Sequence, residues 1–240
     1  MRLVFLGTSH GVPEPNRKCS CTLLETGGRY YFIDMGATVV EDLVTRGISP
    51  CDVGGVFITH MHGDHTNGLP AFCDMLSWVR SRRDADPVFC LPDLAAQDAL
   101  RAWVALNGVR MKALRFVQAG DGPCFDDGNL RVTAIPTQHC PGSHAYLAEA
   151  EGKAVLFTGD LRRPPVDFPA AAGQREIALA VCECAHFPAD RYEMPLRVSR
   201  VRRVCFNHYT RGNYAGLLAL ADTLPEIPMR IVSDGAEIVL

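Results

Sequence analysis

The sequence carries no surplus of positive charge: 24 Lys and Arg face 27 Asp and Glu, a formal net charge of −3. A chain so balanced presents no bulk positive field to nucleic acid or an anionic membrane, so stable nucleic-acid binding is not expected. No apolar run approaches the roughly 20 residues that span a bilayer. Linkers, low-complexity runs and internal repeats are also missing, so one domain over residues 1–240 is expected. The opening Met1-Arg2-Leu3-Val4-Phe5-Leu6-Gly7 is a short apolar run ended by glycine, without the length or cleavage site of a signal peptide. A cytoplasmic protein with no membrane association is the expectation. Ten cysteines in a chain of this size without secretion signals then read as reduced thiols rather than a disulfide framework. Cys19-Ser20-Cys21 and Cys182-Glu183-Cys184 each pair two thiols, whereas a closed structural zinc site needs four donors. Cys182 and Cys184 alternate in an apolar run, as in a strand that buries small thiols. Cys19 and Cys21 stay open as a structural-metal pair.

What is present is an ordinary globular composition, 48% hydrophobic and 21% charged over 240 residues, enough to bury a sizeable core. Strand-like runs cover residues 2–6, 22–25 and 30–34, with Gly27-Gly28 turning between the last two. A helix is expected over 38–45, a strand over 54–58, and a helix from 68 to about 80, where Leu69, Phe72, Met75 and Leu76 recur at helical spacing. A strand over 87–91 and a helix over 94–107, closed by Asn107-Gly108, complete the first half. The second half reads as strands over 113–117, 130–136, 145–148, 154–158, 177–184 and 204–206, a helix over 213–224 and a strand over 229–232. Strands followed by helices, once in each half, predict an α/β protein of two sheets packed face to face with helices outside. The basic run Arg197, Arg200, Arg202 and Arg203 is expected on a solvated helix face.

The densest chemistry lies in Thr59-His60-Met61-His62-Gly63-Asp64-His65, directly after the apolar Val56-Phe57-Ile58. Neutral imidazole and carboxylate are ligands of zinc and its first-row neighbours, and so compact a cluster past a strand end predicts a metal site. One loop cannot fill a catalytic site, so further donors should stand just past other strand ends, beside turn residues. His139, Asp160 and His208 do so, after residues 132–136, 155–159 and 204–207. With His60, His62, Asp64 and His65 they make seven donors. That is enough for two metal sites of three ligands each and one shared carboxylate, with room for water or substrate.

Phe32-Ile33-Asp34-Met35-Gly36, residues 59–65, His139, Thr158-Gly159-Asp160 and His208 resemble, in order and spacing, the five motifs of the metallo-β-lactamase superfamily. The resemblance runs from about residue 30 to 210 and implies a four-layer αβ/βα sandwich, two mixed sheets with helices outside. It implies His60, His62 and His139 on one metal, Asp64, His65 and His208 on the other, and Asp160 bridging. Asp34 takes the role of orienting a ligand rather than binding metal. Two divalent ions are implied. Zinc is favoured by the preponderance of imidazole, and manganese or iron suits the same donors.

Finer similarity points to phosphodiesterases. Gly7-Thr8-Ser9-His10-Gly11-Val12-Pro13, residues 58–70 and Asp234-Gly235 resemble ribonuclease Z. Residues 7–13 with Cys19-Ser20-Cys21 resemble cyclic-phosphate phosphodiesterases of phosphonate breakdown, although Leu24 stands near where those carry a further cysteine. His139-Cys140-Pro141-Gly142 and Thr158-Gly159-Asp160-Leu161-Arg162 resemble DNA cross-link repair nucleases. The chain departs from ribonuclease Z in having no histidine between His186 and His208 and no glycine- and proline-rich arm for tRNA, and the added domain of the repair nucleases is missing. These departures favour a compact substrate: a small, cyclic or nucleotide phosphodiester, cleaved in line by water activated between two ions. Asp64 would bind metal and accept that water's hydrogen bond. His186 is preferred as the acid for the leaving oxygen over Tyr209, His144 and His10, and a phenol or enol leaving group needs none. His10, Ser143, Tyr209 and Arg211 are candidates for holding substrate, Arg211 by bidentate contact with phosphate, with Arg162 and Arg163 as further phosphate partners. The alternatives are a thioester or lactone hydrolase, or a ribonuclease Z-like nuclease, on the same centre. A di-iron oxygen reductase is disfavoured, because His62 stands where those proteins carry an acidic residue. Oligomeric state is not readable from the sequence, and a homodimer is carried only as the commonest assembly for a chain of this kind.

Overall fold

The computed structural model describes residues 1–79 and 86–240. The first half contributes strands β1 (Arg2–Gly7), β2 (Cys21–Thr26), β3 (Arg29–Ile33), β4 (Val53–Phe57), β5 (Val88–Leu91) and β6 (Arg115–Gln118). Helices α1 (Val40–Thr45), α2 (Gly63–Thr66), α3 (Leu69–Trp78) and α4 (Ala95–Ala105) lie between them. The second half contributes β7 (Gly122–Asp126), β8 (Arg131–Pro136), β9 (His144–Ala150), β10 (Lys153–Phe157), β11 (Leu179–Cys184), β12 (Val204–Tyr209) and β13 (Met229–Ile231). Its helices are α5 (Pro164–Asp167), α6 (Ala171–Gln174), α7 (Glu193–Arg197) and α8 (Tyr214–Thr223). The last strand, β14 (Glu237–Val239), returns to the first sheet and pairs with β1.

The sheets run β14-β1-β2-β3-β4-β5-β6 and β13-β12-β11-β10-β9-β8-β7. Both are mixed in the same manner. Antiparallel pairing joins β14 through β3 and β7 through β10, and parallel pairing joins β3 through β6 and β10 through β13. In the first sheet Ile33, Phe57 and Cys90 stand level across β3, β4 and β5. In the second, Phe157, Val181 and Cys205 stand level across β10, β11 and β12. Level strand ends bring the loops that follow them to one edge.

Strands buried on both faces account for the near-continuous apolar runs. Successive side chains of β1 alternate, Leu3 and Phe5 turning into the core between the sheets, Val4 and Leu6 toward the helices outside. The inner core also holds Phe57, Tyr146 and Phe157. One outer core packs Phe32 and Val56 against Phe72 and Leu100, and the other packs Leu156 and Phe206 against Tyr192 and Leu217. The result is the four-layer sandwich expected, a helix layer on each side of two sheets.

The predicted strands and helices fall on observed elements with ends displaced by a few residues, and α3 is followed to Trp78. Arg80, the expected end of that helix, lies outside the described residues. β7 and β14 were not expected. β7, Gly-Pro-Cys-Phe-Asp, looks like a turn, and Pro123 is accommodated because β7 is an edge strand. The basic run is corrected: α7 ends at Arg197, and Arg200, Arg202 and Arg203 lie in the connection to β12, not on a helix. Arg197 pairs there with Glu193 and Glu226, and Arg202 with Glu176. Cys19, Cys21, Cys73, Cys90, Cys124, Cys140, Cys182, Cys184 and Cys205 are free thiols. Cys21 is buried in the outer core of the first sheet, and among the described residues no group with metal-binding geometry includes it or Cys19. No helix among the described residues is long and apolar enough to cross a membrane.

Candidate metal centre

All seven predicted donors meet where strands of both sheets end. Residues 59–65 follow β4, His139 follows β8, Asp160 follows β10, and His208 lies near the end of β12. Donor atoms of His60, His62 and His139 lie within 4.8 Å of one another, as do those of Asp64, His65 and His208. In the first group His60 Nε2 is 2.9 Å and His139 Nε2 3.3 Å from His62 Nδ1. In the second, Asp64 Oδ2 is 3.1 Å from His208 Nε2 and 3.5 Å from His65 Nε2.

Asp160 stands between them with one oxygen toward each. Its Oδ2 is 3.6 Å from His60 Nε2 and 3.7 Å from His139 Nε2. Its Oδ1 is 3.5 Å from His65 Nε2 and 3.7 Å from His208 Nδ1. Of these atoms, His65 Nε2, Asp160 Oδ1 and His208 Nδ1 are buried without any hydrogen-bond partner. Orphaned buried polar atoms are costly, and three aimed at one place from an all-His/Asp set suit a divalent cation. The residues present therefore fit a divalent-metal site.

Electrostatics follow from burial and crowding. Burial, with His65 beside it, pushes the His60 imidazole down to about 2, which keeps it the neutral ligand a metal requires. Burial works against ionising Asp160, yet the imidazoles of His208 and His65 outweigh it and hold the carboxyl well below the usual range. Asp64 behaves alike: burial opposes its charge, and the imidazoles of His208 and His65 prevail.

A second ring of groups orients these donors. Asp34, just past β3, has a left-handed backbone with φ of 58°, a conformation that Asp tolerates better than most residues. From there its carboxylate accepts the Thr59 N–H at 2.8 Å, the Thr59 hydroxyl at 3.0 Å and His65 Nδ1–H at 2.7 Å. That contact leaves His65 Nε2 facing the centre. Gly36 lets the two loops meet, because a Cβ there would stand 1.6 Å from the Asp64 carbonyl oxygen. Across the centre, Glu183 at the end of β11 is buried and accepts N–H groups of Leu161 at 2.9 Å and Ala185 at 2.8 Å. His186 Nδ1 lies 3.1 Å from both Glu183 oxygens and 3.7 Å from Asp160 Oδ2. The hydrogen bond to Glu183 outweighs burial and raises the His186 imidazole to about 9.

The other predicted groups are engaged elsewhere. The Ser143 hydroxyl donates to Cys140 O at 2.8 Å and accepts from Thr137 at 2.9 Å, closing the loop that bears His139. Tyr209 donates its hydroxyl to Val232 O. Arg211 gives its backbone N–H and guanidinium to Glu14 and a further N–H to Pro15 O. His10 lies 3.5 Å from Glu14, and His144, whose backbone N–H bonds Thr59 O, keeps its ring outside the metal-binding groups. The Arg162 and Arg163 backbone N–H groups bond Asp167. Sequence reasoning missed Glu183 as a site residue. The signal for it was a lone acid inside an otherwise apolar strand, hidden between two cysteines.

Comparison with known proteins agrees with this fold. A family model described as anti-Pycsar protein Apyc1 matches residues 1–191. The chain is 29% identical over 167 residues to a ribonuclease Z of Anoxybacillus flavithermus, covering 68% of this chain and 53% of that protein. It is 31% identical over 159 residues to a ribonuclease BN of Escherichia coli, covering 64% and 51%. The chain thus spans about half the length of these curated relatives. Human tRNase Z, short form, superposes with a TM-score of 0.78 at 19% identity, over 100% of this chain and 99% of that one. The metallo-β-lactamase fold protein YhfI from Bacillus subtilis gives 0.77 at 16% identity, over 99% and 98%. A diphosphatase from the PhnP family gives 0.70 at 15% identity, over 100% and 97%. These structural likenesses establish the fold. With the ordered motifs, the paired mixed sheets and a family match over residues 1–191, the chain has the metallo-β-lactamase fold and belongs to the anti-Pycsar protein Apyc1 family.

Proposed function

We propose that the chain is a metal-dependent phosphodiesterase acting on a small, cyclic or nucleotide phosphodiester. The observation that carries this reading is the placement of Asp160, one oxygen toward each cluster of donors. Such an arrangement suits two divalent ions, zinc first among them. His60, His62 and His139 would hold one, Asp64, His65 and His208 the other, and Asp160 both. Bound there, the metals would supply Lewis acidity that polarises phosphoryl oxygens and acidifies water.

The side chains do the rest. Asp64 accepts a hydrogen bond from the attacking water and so orients it toward phosphorus. Glu183 keeps the Nδ1–H of His186, which leaves Nε2 to face the substrate. Raised to about 9, this imidazole is protonated at neutral pH and gives its proton to the leaving oxygen. Acid function thus comes from a histidine three residues beyond Glu183, in a chain without a histidine between His186 and His208. Phosphorus chemistry is supported by the names of the relatives, two nucleases and a diphosphatase.

The test is hydrolysis of bis(p-nitrophenyl) phosphate by metal-loaded protein beside Asp64→Ala, followed by a panel of cyclic and linear nucleotides. Turnover by the intact protein and its loss in the variant are expected. Bound metal without turnover of any phosphodiester would overturn the reading in favour of thioesters or lactones.

A further inference from the structure

His139 and Asp160 follow β8 and β10, strands that lie on either side of β9 and share no hydrogen-bond ladder. The sheet spaces the two strand ends through β9, but it does not tie the loops beyond them, which carry the donors, to one another. A buried carboxylate outside the centre does. Asp167, at the end of α5, is only 9% exposed. Its Oδ2 accepts the backbone N–H of Gln138 at 2.9 Å and of Arg162 at 2.9 Å, and its Oδ1 accepts that of Arg163 at 3.1 Å. The first of these donors immediately precedes His139, and the second follows Asp160 by two residues.

We propose that Asp167 is a positioning residue, a clamp that ties the His139 loop to the Asp160 loop and so sets the spacing of two metal donors from non-adjacent strands. Turn or helix-start bonding accounts for the bonds from Arg163 and Arg162, four and five residues away. It does not account for Gln138, 29 residues distant in sequence and on another loop. One oxygen shared between the two loops fixes them relative to each other, and a charged acceptor makes each bond stronger than a neutral one. Among the described residues, the other hydrogen bond between these loops is a long one, Thr137 Oγ1 to Asp160 O at 3.4 Å. His139 depends most on this support, since it is only partly buried while His60 and His65 are almost fully enclosed.

The consequence for metal rests on the functional reading above, but the clamp itself is tested independently. Asp167→Ala and Asp167→Asn are compared with the intact protein by amide hydrogen exchange and by chelator competition for bound zinc. In Asp167→Ala, exchange in residues 137–143 and 160–163 should quicken about tenfold or more, as expected for losing hydrogen bonds to a charged acceptor, while residues 59–65 stay unchanged. Zinc affinity should fall about 10- to 100-fold at the site that includes His139, and by less at the other, which shares only Asp160 with the clamp. Asp167→Asn keeps one accepting oxygen and should give smaller changes in the same loops. If the alanine variant does not fold, the asparagine variant decides on both measurements. Wild-type exchange in residues 137–143 of a folded variant overturns the clamp. An intact protein that binds none of zinc, manganese and iron overturns the metal reading, while the exchange data still judge the clamp.

Discussion

The two halves of the centre reach the same precision by different routes. In the first half four donors come from six consecutive residues, His60 to His65, and Asp34 orients them from the neighbouring strand end. In the second half three donors come from three strands, and the chain must bring them together across the sheet. There the supporting groups are carboxylates buried outside the donor set: Asp167 between the His139 and Asp160 loops, and Glu183 between Leu161 and His186. A local motif carries most of its geometry in its own sequence. A distributed site needs staples, and staples are what single-sequence reading overlooks.

Asp160→Ala should break both halves at once and give the largest effect. Its two oxygens face different clusters, so its removal is expected to abolish turnover and to weaken metal at both positions, measured as metal content after dialysis against a weak chelator. Loss confined to one position would show that Asp160 serves a single cluster, and the comparison would have to be redrawn.

His186→Gln should come next and act on the second half alone. Glutamine keeps a polar side chain beside Glu183 but cannot deliver a proton. A general acid contributes about 10²–10⁴-fold, so cleavage of an alkyl or ribose leaving group should fall by that order. Cleavage of a p-nitrophenyl ester, whose leaving group needs no proton, should change little. Equal losses on both substrates would instead assign His186 to metal binding, a role for which its group with His139 and Asp160 has the geometry.

The contrast also explains what was legible. The paired sheets were readable because strands buried on both faces leave unbroken apolar runs, such as Val53–Phe57 and residues 154–157. β14 was not, being three residues with only Ile238 buried. Residues 59–65 announced themselves by residue type and spacing, and His139, Asp160 and His208 by standing at strand ends. Glu183 did not, because the cysteines beside it made the segment look like a thiol-lined strand. Asp167 follows Arg162-Arg163-Pro164-Pro165-Val166, a stretch that reads as an exposed turn, and only tertiary contact with Gln138 reveals its use. Ser143 and Arg211 looked like substrate groups because of their proximity in sequence to His139 and His208. Folding engages one in closing its own loop and the other with Glu14.

Asp34→Asn should give the smallest effect of the three and sharpens the comparison most. Asparagine tolerates the left-handed backbone of position 34, so the substitution removes charge without forcing the chain. An amide oxygen can still accept the Thr59 N–H, and the Thr59 hydroxyl lies 3.2 Å from His60 Nδ1 and 3.4 Å from His65 Nδ1, a local reserve of contacts within the motif. What is lost is the anion that accepts His65 Nδ1–H at 2.7 Å and makes Nε2 the better ligand. Affinity for the metal held by His65 should fall about 10-fold, near the lower end for loss of such a partner, with the His139 side unaffected in chelator competition. A loss equal to that of Asp167→Ala, or one spread over both positions, would show that the compact motif depends on its carboxylate as heavily as the distributed half does. The local sequence would then supply the donors but not their geometry.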